Sequence, residues 1–357
     1  MSWERELSPD ERRRIFTTGD VYRIGVDEQR RAKRPLRIAV LGAGGVAQAK
    51  HLPALTELAG RWEPVSLCAV MTRDSAQSSK LSAVWHVPVY SDAAKLLREQ
   101  APDAVIITAP DEHHHELAIA ALDAGADVLV EKPLSTSVES AQAMSQHAVD
   151  RGRLLMTVTN KRFSPPYRAA HRWLEEERIG APSSLTARFA LGYDYVDLLS
   201  QGTIHVLDLL RWFGGDVETV HALRATGTTR CHLAVALRFA SGAVGTLSTT
   251  DGALSLHPWE RLEVFSDGPW FEVNDQSEAT LHPGEELPAE RWDAVIPNTL
   301  VSGLEWGGYV GLLEEWLDAL RGTPPVVTNP TDGVRAVELA SAIGASAESG
   351  EAIVVGQ

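Results

Sequence analysis

One junction constrains this chain more than any other. The apolar run Leu36–Leu41 breaks directly into Gly42-Ala43-Gly44-Gly45-Val46-Ala47, and a helical pattern, Ala47–Leu58, follows. In a strand–turn–helix with G-x-G-x-x-A, the first Gly permits the tight turn and the second lets backbone approach a pyrophosphate. The small third residue lets helix pack on strand. The helix start then offers free N–H groups and the positive end of its dipole to the phosphates. The junction predicts a dinucleotide-binding domain with Gly42, Ala43, Gly44, Gly45, Val46 and Ala47 as its phosphate loop.

The pattern around that junction fits. Buried-strand runs at Leu36–Leu41, Val65–Met71, Ala104–Thr108, Val128–Val130 and Leu154–Val158 alternate with helical stretches such as Glu112–Ala124 and Val138–Asp150. Such alternation predicts βαβ units and a parallel, doubly wound sheet. After about residue 160 the texture changes. Helical stretches Pro166–Glu177 and Thr203–Phe213 lead into longer alternating strands at Val217–Arg224, His232–Phe239, Ala243–Thr249 and Glu260–Phe265. Helices near Tyr309–Arg321 and Thr331–Ser349 close the chain. The expected fold class is α/β: an N-terminal Rossmann domain, residues 35–159, and a C-terminal α+β domain with a large, mostly antiparallel open sheet, residues 160–357. Residues 1–34 form a charge-rich extension or arm, in which Ser8-Pro9-Asp10-Glu11 reads as a helix start.

Charge excludes some partners. The 357 residues hold 33 basic and 48 acidic side chains, a net charge of −15, which argues against nucleic acid or an anionic membrane surface. No apolar run is long enough to span a bilayer, and the N-terminus lacks the apolar core of a signal peptide. Cys68 and Cys231 sit in apolar runs and read as buried, reduced thiols, so the expected location is cytoplasmic. Three adjacent histidines, His113–His115, cannot converge on one ion from a helix, and no metal is expected.

The end of the second strand selects between the two nicotinamide cofactors. An acidic residue there suits a free ribose 2′-hydroxyl, and an Arg suits a 2′-phosphate. Here the residues are Thr72-Arg73-Asp74, which favours NADP(H) and leaves NAD(H) open through Asp74. Glu131-Lys132-Pro133 places a lysine at the carboxyl end of a buried strand, the edge where ligands bind in open α/β sheets. A partly desolvated lysine there can polarise a carbonyl or assist loss of a hydroxyl proton.

Together these motifs make the sequence resemble the Gfo/Idh/MocA oxidoreductases from Leu36 to Val355. The resemblance rests on the fingerprint at Gly42, the Pro110-Asp111-Glu112-His113-His114 loop, and Ala124-Gly125-Ala126-Asp127 leading into Glu131-Lys132-Pro133. It continues through Asn160-Lys161-Arg162-Phe163, Ile204-His205-Val206-Leu207-Asp208 and Asp332-Gly333. It implies that Lys132 lies between substrate and nicotinamide ribose, that a cis peptide precedes Pro133, and that His205 is an acid/base at the substrate oxygen. It also puts Ala109, Pro110, His114, Glu131, Pro133, Asn160 and Arg162 at the cofactor, Arg162 with a structural salt bridge as its alternative. One departure stands out: many relatives carry Asp four residues before the histidine, and here that position is Gln201. Gln201 can hydrogen-bond a substrate but cannot stabilise an imidazolium by charge. That leaves Tyr193, Tyr195 or Asp197 as further proton-transfer candidates.

The resulting expectation is an NAD(P)-dependent oxidoreductase interconverting a secondary hydroxyl and a ketone on a sugar, nucleotide sugar or cyclitol, working as a homodimer or homotetramer. The alternatives are a nicotinamide-dependent enzyme that cleaves glycosides without net redox, and a catalytically silent dinucleotide sensor. Trp306 and Tyr309 read as packing aromatics ahead of pocket lining.

Overall fold

The computed structural model describes residues 34–61, 64–193, 196–253, 258–284, 287–293 and 303–356. The extension expected over residues 1–34, with its Ser8 helix start, lies outside these save for Arg34, which pairs with Asp103 at 2.6 Å.

The first layer follows the strand–helix alternation of the sequence. Its elements are β1 (Leu36–Leu41), α1 (Leu52–Gly60), β2 (Val65–Met71), α2 (Ser75–Trp85), β3 (Val89–Tyr90), α3 (Ala93–Gln100), β4 (Ala104–Ile107), α4 (His114–Asp123), β5 (Asp127–Val130), α5 (Val138–Arg151) and β6 (Leu155–Thr157). Ile38, Ala39, Val40 and Leu41 are all fully buried, because helices cover both faces of a parallel sheet. Short polar side chains start the helices: Asp74 accepts from Ala76 N, Asp92 from Lys95 N and Ser137 from Ser140 N. The strand order is β3-β2-β1-β4-β5-β6, all parallel, and it reverses between β1 and β4. In open α/β sheets that switch point is where ligands bind.

The second layer comprises α6 (Pro165–Glu175), β7 (Ser184–Ala190), α7 (Ile204–Gly214), β8 (Val217–Arg224), β9 (His232–Phe239), β10 (Val244–Thr250), β11 (Trp259–Phe265), β12 (Trp270–Asn274), β13 (Glu278–His282), β14 (Glu290–Asp293), α8 (Tyr309–Leu320), α9 (Asp332–Ser349) and β15 (Ile353–Val354). The nine strands run β14-β13-β12-β11-β7-β10-β9-β8-β15, antiparallel except where β7 lies parallel to β10. Alternation decides the faces. Leu233, Val235, Leu237 and Phe239 of β9 turn inward with Leu185, Ala187 and Phe189 of β7, against α6, α7 and α9. Each such side chain contributes about 1.5–3 kcal/mol by leaving water. The other face carries Arg188, Ala234, Ala236, Arg238, Thr246 and Ser248, all exposed. Among these stand exposed apolar side chains, Val244 on β10, Leu223 on β8 and Trp259 on β11.

The two layers are not separate in space. Val310, Leu312, Leu313 and Trp316 of α8 pack with Ile38, Val40 and Leu52 of the first layer. The start of α9, Val334 to Val337, packs with Val128 and Val130, while Leu339 and Ile343 belong to the second core. The linear division at residue 159 is crossed twice by the C-terminal helices. Among the described residues no helix is long and apolar enough to cross a membrane.

Candidate active site

At the switch point the chain leaves β1 through Gly42, with φ of +102°. A Cβ there would sit 2.6 Å from the Cα of Ala109, so only glycine fits both the turn and the close approach of the β4 loop. Thr108 Oγ1 donates to Gly42 O at 2.6 Å and closes the two loops together. Ala43 and Ala47 are buried against the sheet, whereas Gly44, Gly45 and Val46 are exposed. A π-helical turn, Ala47–His51, leads into α1 with no side-chain cap and no acidic residue in its first turn. Its first N–H groups thus face outward without a competing carboxylate, and the loop fits a dinucleotide pyrophosphate.

Beyond β2, Thr72 is buried and its hydroxyl accepts from Asp74 N at 3.2 Å. Both oxygens of Asp74 are engaged by its own helix: Oδ1 takes Ala76 N at 3.0 Å, and Oδ2 takes Gln77 Nε2 at 2.6 Å. Gln77 Oε1 in turn accepts from Gln48 Nε2 at 3.0 Å, which also donates to Ala43 O. Arg73 is exposed and forms no ion pair among the described residues.

A cavity at the carboxyl edge of β5 and β6 is lined by Lys132, Thr157, Lys161, His205, Asp208 and Asp332, with Gly333 and Ala336 as one wall. The Lys132-Pro133 peptide is cis. Lys132 Nζ donates to the carbonyl of Gln201 at 2.7 Å. Burial pulls its ammonium below the usual lysine range, and the charge of Lys161 adds to that against the opposing pull of Glu131 and Asp111. His205 faces the same cavity, and burial together with the charges of Lys132 and Lys161 pushes its imidazole well below the ordinary value. His205 is therefore held neutral at neutral pH, with a ring nitrogen free to act as a base toward a group that loses its proton in the reaction, and Lys132 is the positive charge beside it.

Gln201 lies in a second π-helical turn, Leu198–Thr203, at the entry to α7. Its Nε2 donates to Asp111 Oδ2 at 2.5 Å, and its Oε1 accepts from Asp197 N at 2.9 Å. The side chain is therefore spent on bridging the β4 loop to the second layer. Asp197 caps that turn, accepting from the backbone N and hydroxyl of Ser200, and it is exposed. Tyr193 is half-buried against the second core, and Tyr195 lies outside the described residues.

Several residues expected at the cofactor are tied to the protein instead. His114 is fully buried, with Nδ1 2.8 Å from Pro133 O and Nε2 2.9 Å from Ala109 O, so neither ring nitrogen faces a ligand. It clamps the β4 loop to the turn after Lys132. Arg162 is buried and grips Asp208 through Nε at 2.8 Å and Nη2 at 2.5 Å, Asp332 through Nη1 at 2.8 Å, and Val327 O at 3.0 Å. The salt-bridge alternative describes it, and the carboxylates it holds form the cavity floor. Asn160 Nδ2 donates to Gly307 O at 2.7 Å and fixes the approach to α8. Glu131 is buried on His51, while Ala109 and Pro110 lie in the loop that meets Gly42. Tyr309 packs edge-on to His51, and Trp306 stacks on Trp292. Sequence reasoning passed over Lys161, Asp111 and His51. All three sit in quoted or adjacent motifs, but only long-range contacts give them roles.

Residues 36–159 match the sequence profile described as an oxidoreductase family with an NAD-binding Rossmann fold, and residues 198–355 match its C-terminal alpha/beta domain. The chain belongs to the Gfo/Idh/MocA oxidoreductase family. Oxidoreductase YceM of Salmonella typhimurium is 25% identical over 81% of this chain and 90% of its own length. Inositol 2-dehydrogenase 2 of Saccharopolyspora erythraea is 31% identical over 55% of this chain. That match spans only 59% of the dehydrogenase. The structure of levoglucosan dehydrogenase with NADH superposes with a TM-score of 0.82 at 19% identity, covering 91% of this chain and all of that one, which speaks to the fold. This member is accordingly an oxidoreductase of the NAD-binding Rossmann type.

Proposed function

We propose that this enzyme interconverts a secondary hydroxyl and a ketone on a sugar, nucleotide sugar or cyclitol in the cytoplasm, with Lys132 and His205 at the reacting oxygen. The supporting observation is the convergence of these two side chains on one cavity at the carboxyl edge of the parallel sheet. In the oxidising direction His205 accepts the hydroxyl proton while the Lys132 ammonium stabilises the charge growing on that oxygen. A bound nicotinamide would supply the hydride acceptor for the carbon. Relatives named inositol 2-dehydrogenase favour a polyol substrate class.

The cofactor we propose is NADP(H). Asp74, the residue that would read a ribose 2′-hydroxyl, spends both oxygens on its own helix, while Arg73 stands exposed beside it. The outer face of the nine-stranded sheet is the surface we assign to a second copy, in a homodimer or homotetramer.

Fluorescence titration with NADPH and NADH tests the cofactor. NADPH should bind more tightly, and Arg73→Ala should cost it roughly ten- to hundredfold, the loss of about 1.5–3 kcal/mol for a charge-assisted contact, while sparing NADH. Equal losses would remove Arg73 from this role, and binding of neither nucleotide would overturn the hydride-transfer reading. With a substrate in hand, Lys132→Ala should lower turnover by roughly 10²–10⁴-fold at unchanged nucleotide affinity.

A further inference from the structure

Next to the cavity, and outside the chemistry assigned so far, lies a buried histidine–carboxylate pair. His51 ends the π-helical turn that follows the phosphate loop, and it is fully buried. Its Nε2 is 2.7 Å from Glu131 Oε1, and its Nδ1 has no hydrogen-bond partner. The other oxygen of Glu131, Oε2, accepts from the backbone N of Lys132 at 3.1 Å. The Tyr309 ring, at the start of α8, closes over His51 edge-on with centroids 5.3 Å apart. The carboxylate is thus held between the His51 ring and the backbone N–H of Lys132, with Tyr309 packed on the far side of His51.

A buried charge without a partner is expensive, and a fold retains one only where it is held by hydrogen bonds or an opposite charge. We propose that His51 and Glu131 are positioning residues for Lys132: the pair holds a carboxylate fixed at the base of that side chain and so sets its charge and its aim into the cavity. This rests on the reading of Lys132 as the lysine at the reacting oxygen.

The electrostatics agree with the geometry. Burial by itself would push the Glu131 carboxyl up, but the His51 hydrogen bond and charge, with Lys132, hold it below the usual range. The groups bearing on Lys132 are Glu131 from β5, Asp111 from the β4 loop, Lys161 from the turn after β6, and His205 from α7. Those bearing on Glu131 are His51, Lys132 and Tyr309. Removing His51 takes away the hydrogen bond and the charge that oppose burial, so the Glu131 carboxyl should rise and its negative charge beside Lys132 should weaken. Lys132 then deprotonates at lower pH.

The test needs no substrate. Competitive acylation of the native protein across pH, read by mass spectrometry, follows Lys132 against Lys80 and Lys95 as references. In His51→Leu the labelling midpoint of Lys132 should fall by roughly one unit, the scale of losing a nearby opposite charge. His51→Gln, which keeps a donor near the Nε2 position, should restore it. Glu131→Gln, nearly isosteric, should reproduce the fall with His51 in place, and it serves if His51→Leu does not fold. Midpoints within about 0.2 unit of wild type in folded Glu131→Gln would overturn the proposal and leave the pair as core structure. Failure of the catalytic reading is separately visible, since Lys132→Ala would then retain turnover whatever the labelling shows.

Discussion

Arg162→Met separates a residue that holds the fold from one that holds a ligand. The substitution keeps the aliphatic stem and deletes the guanidinium, which makes four hydrogen bonds, two to Asp208, one to Asp332 and one to Val327 O. Removing one partner of a buried ion pair costs about 3–5 kcal/mol, because the charge left behind is uncompensated. Arg211 still reaches Asp332 at 3.4 Å, which places the expected cost at the low end, about 3–4 kcal/mol. For a cooperative unit of about 150–250 residues, that corresponds to a melting midpoint lower by roughly 6–16 °C. The loss should depend on pH. Burial raises the Asp208 carboxyl above its ordinary value even with Arg162 in place. A group raised in the folded state contributes stability below its unfolded value and loses it as pH rises through the folded one. Deleting Arg162 raises Asp208 further, so the deficit at pH 8 should exceed the deficit at pH 5. Thermal and denaturant unfolding at both pH values, with a nucleotide titration of the folded variant, decides the matter. A loss under about 1 kcal/mol, a deficit that ignores pH, or full stability with lost nucleotide binding would each refute the reasoning.

Two glycine substitutions test the close approaches that shape the site. Gly42→Ala combines a positive φ with a Cβ 2.6 Å from Ala109 Cα. It should weaken nucleotide binding at least about tenfold, through a backbone strain of about 1–3 kcal/mol, and an isotherm within twofold of wild type would count against it. Gly333→Ala would bring a Cβ within 2.8 Å of Thr157 Cβ and 3.1 Å of Leu134 Cβ. That pushes α9 off β6 at a cost of about 1–3 kcal/mol, readable as a lower denaturant midpoint, and an unmoved midpoint would show that the helix start tolerates the group.

What was legible in the sequence was what short-range patterning encodes. β1, β2, β8 and β9 occupy the residues expected of them, since a buried apolar run or strict alternation has one structural reading. β12 and β13 were not read, being five residues each and joined by a turn at Asp275 and Gln276, whose left-handed φ breaks the pattern without a glycine, and neither were β7 and the four-residue β14. In the site, the positions of Gly42 at the β1 turn and of Lys132 at the end of β5 were visible because they follow from local context. Gln201 was not, because its side chain is turned by a π-helical residue and answered by Asp111, 90 residues away. Arg162 was only half legible for the same reason: its partners lie 46 and 170 positions along the chain.

The return of α8 to the first layer has a consequence for how the protein is made. The face of the Rossmann sheet that carries Ile38 and Val40 is completed by Val310, Leu313 and Trp316, which leave the ribosome only after nearly all of the second layer. Until then α1 and α2 alone cover that face, and part of its apolar surface stays open. The first half of the chain cannot reach its final packing as an independent N-terminal unit, in contrast to domains that finish folding in order of translation. Cutting the chain before residue 309 would strip the nucleotide-binding half of a wall, although the missing residues come from the opposite end of the gene.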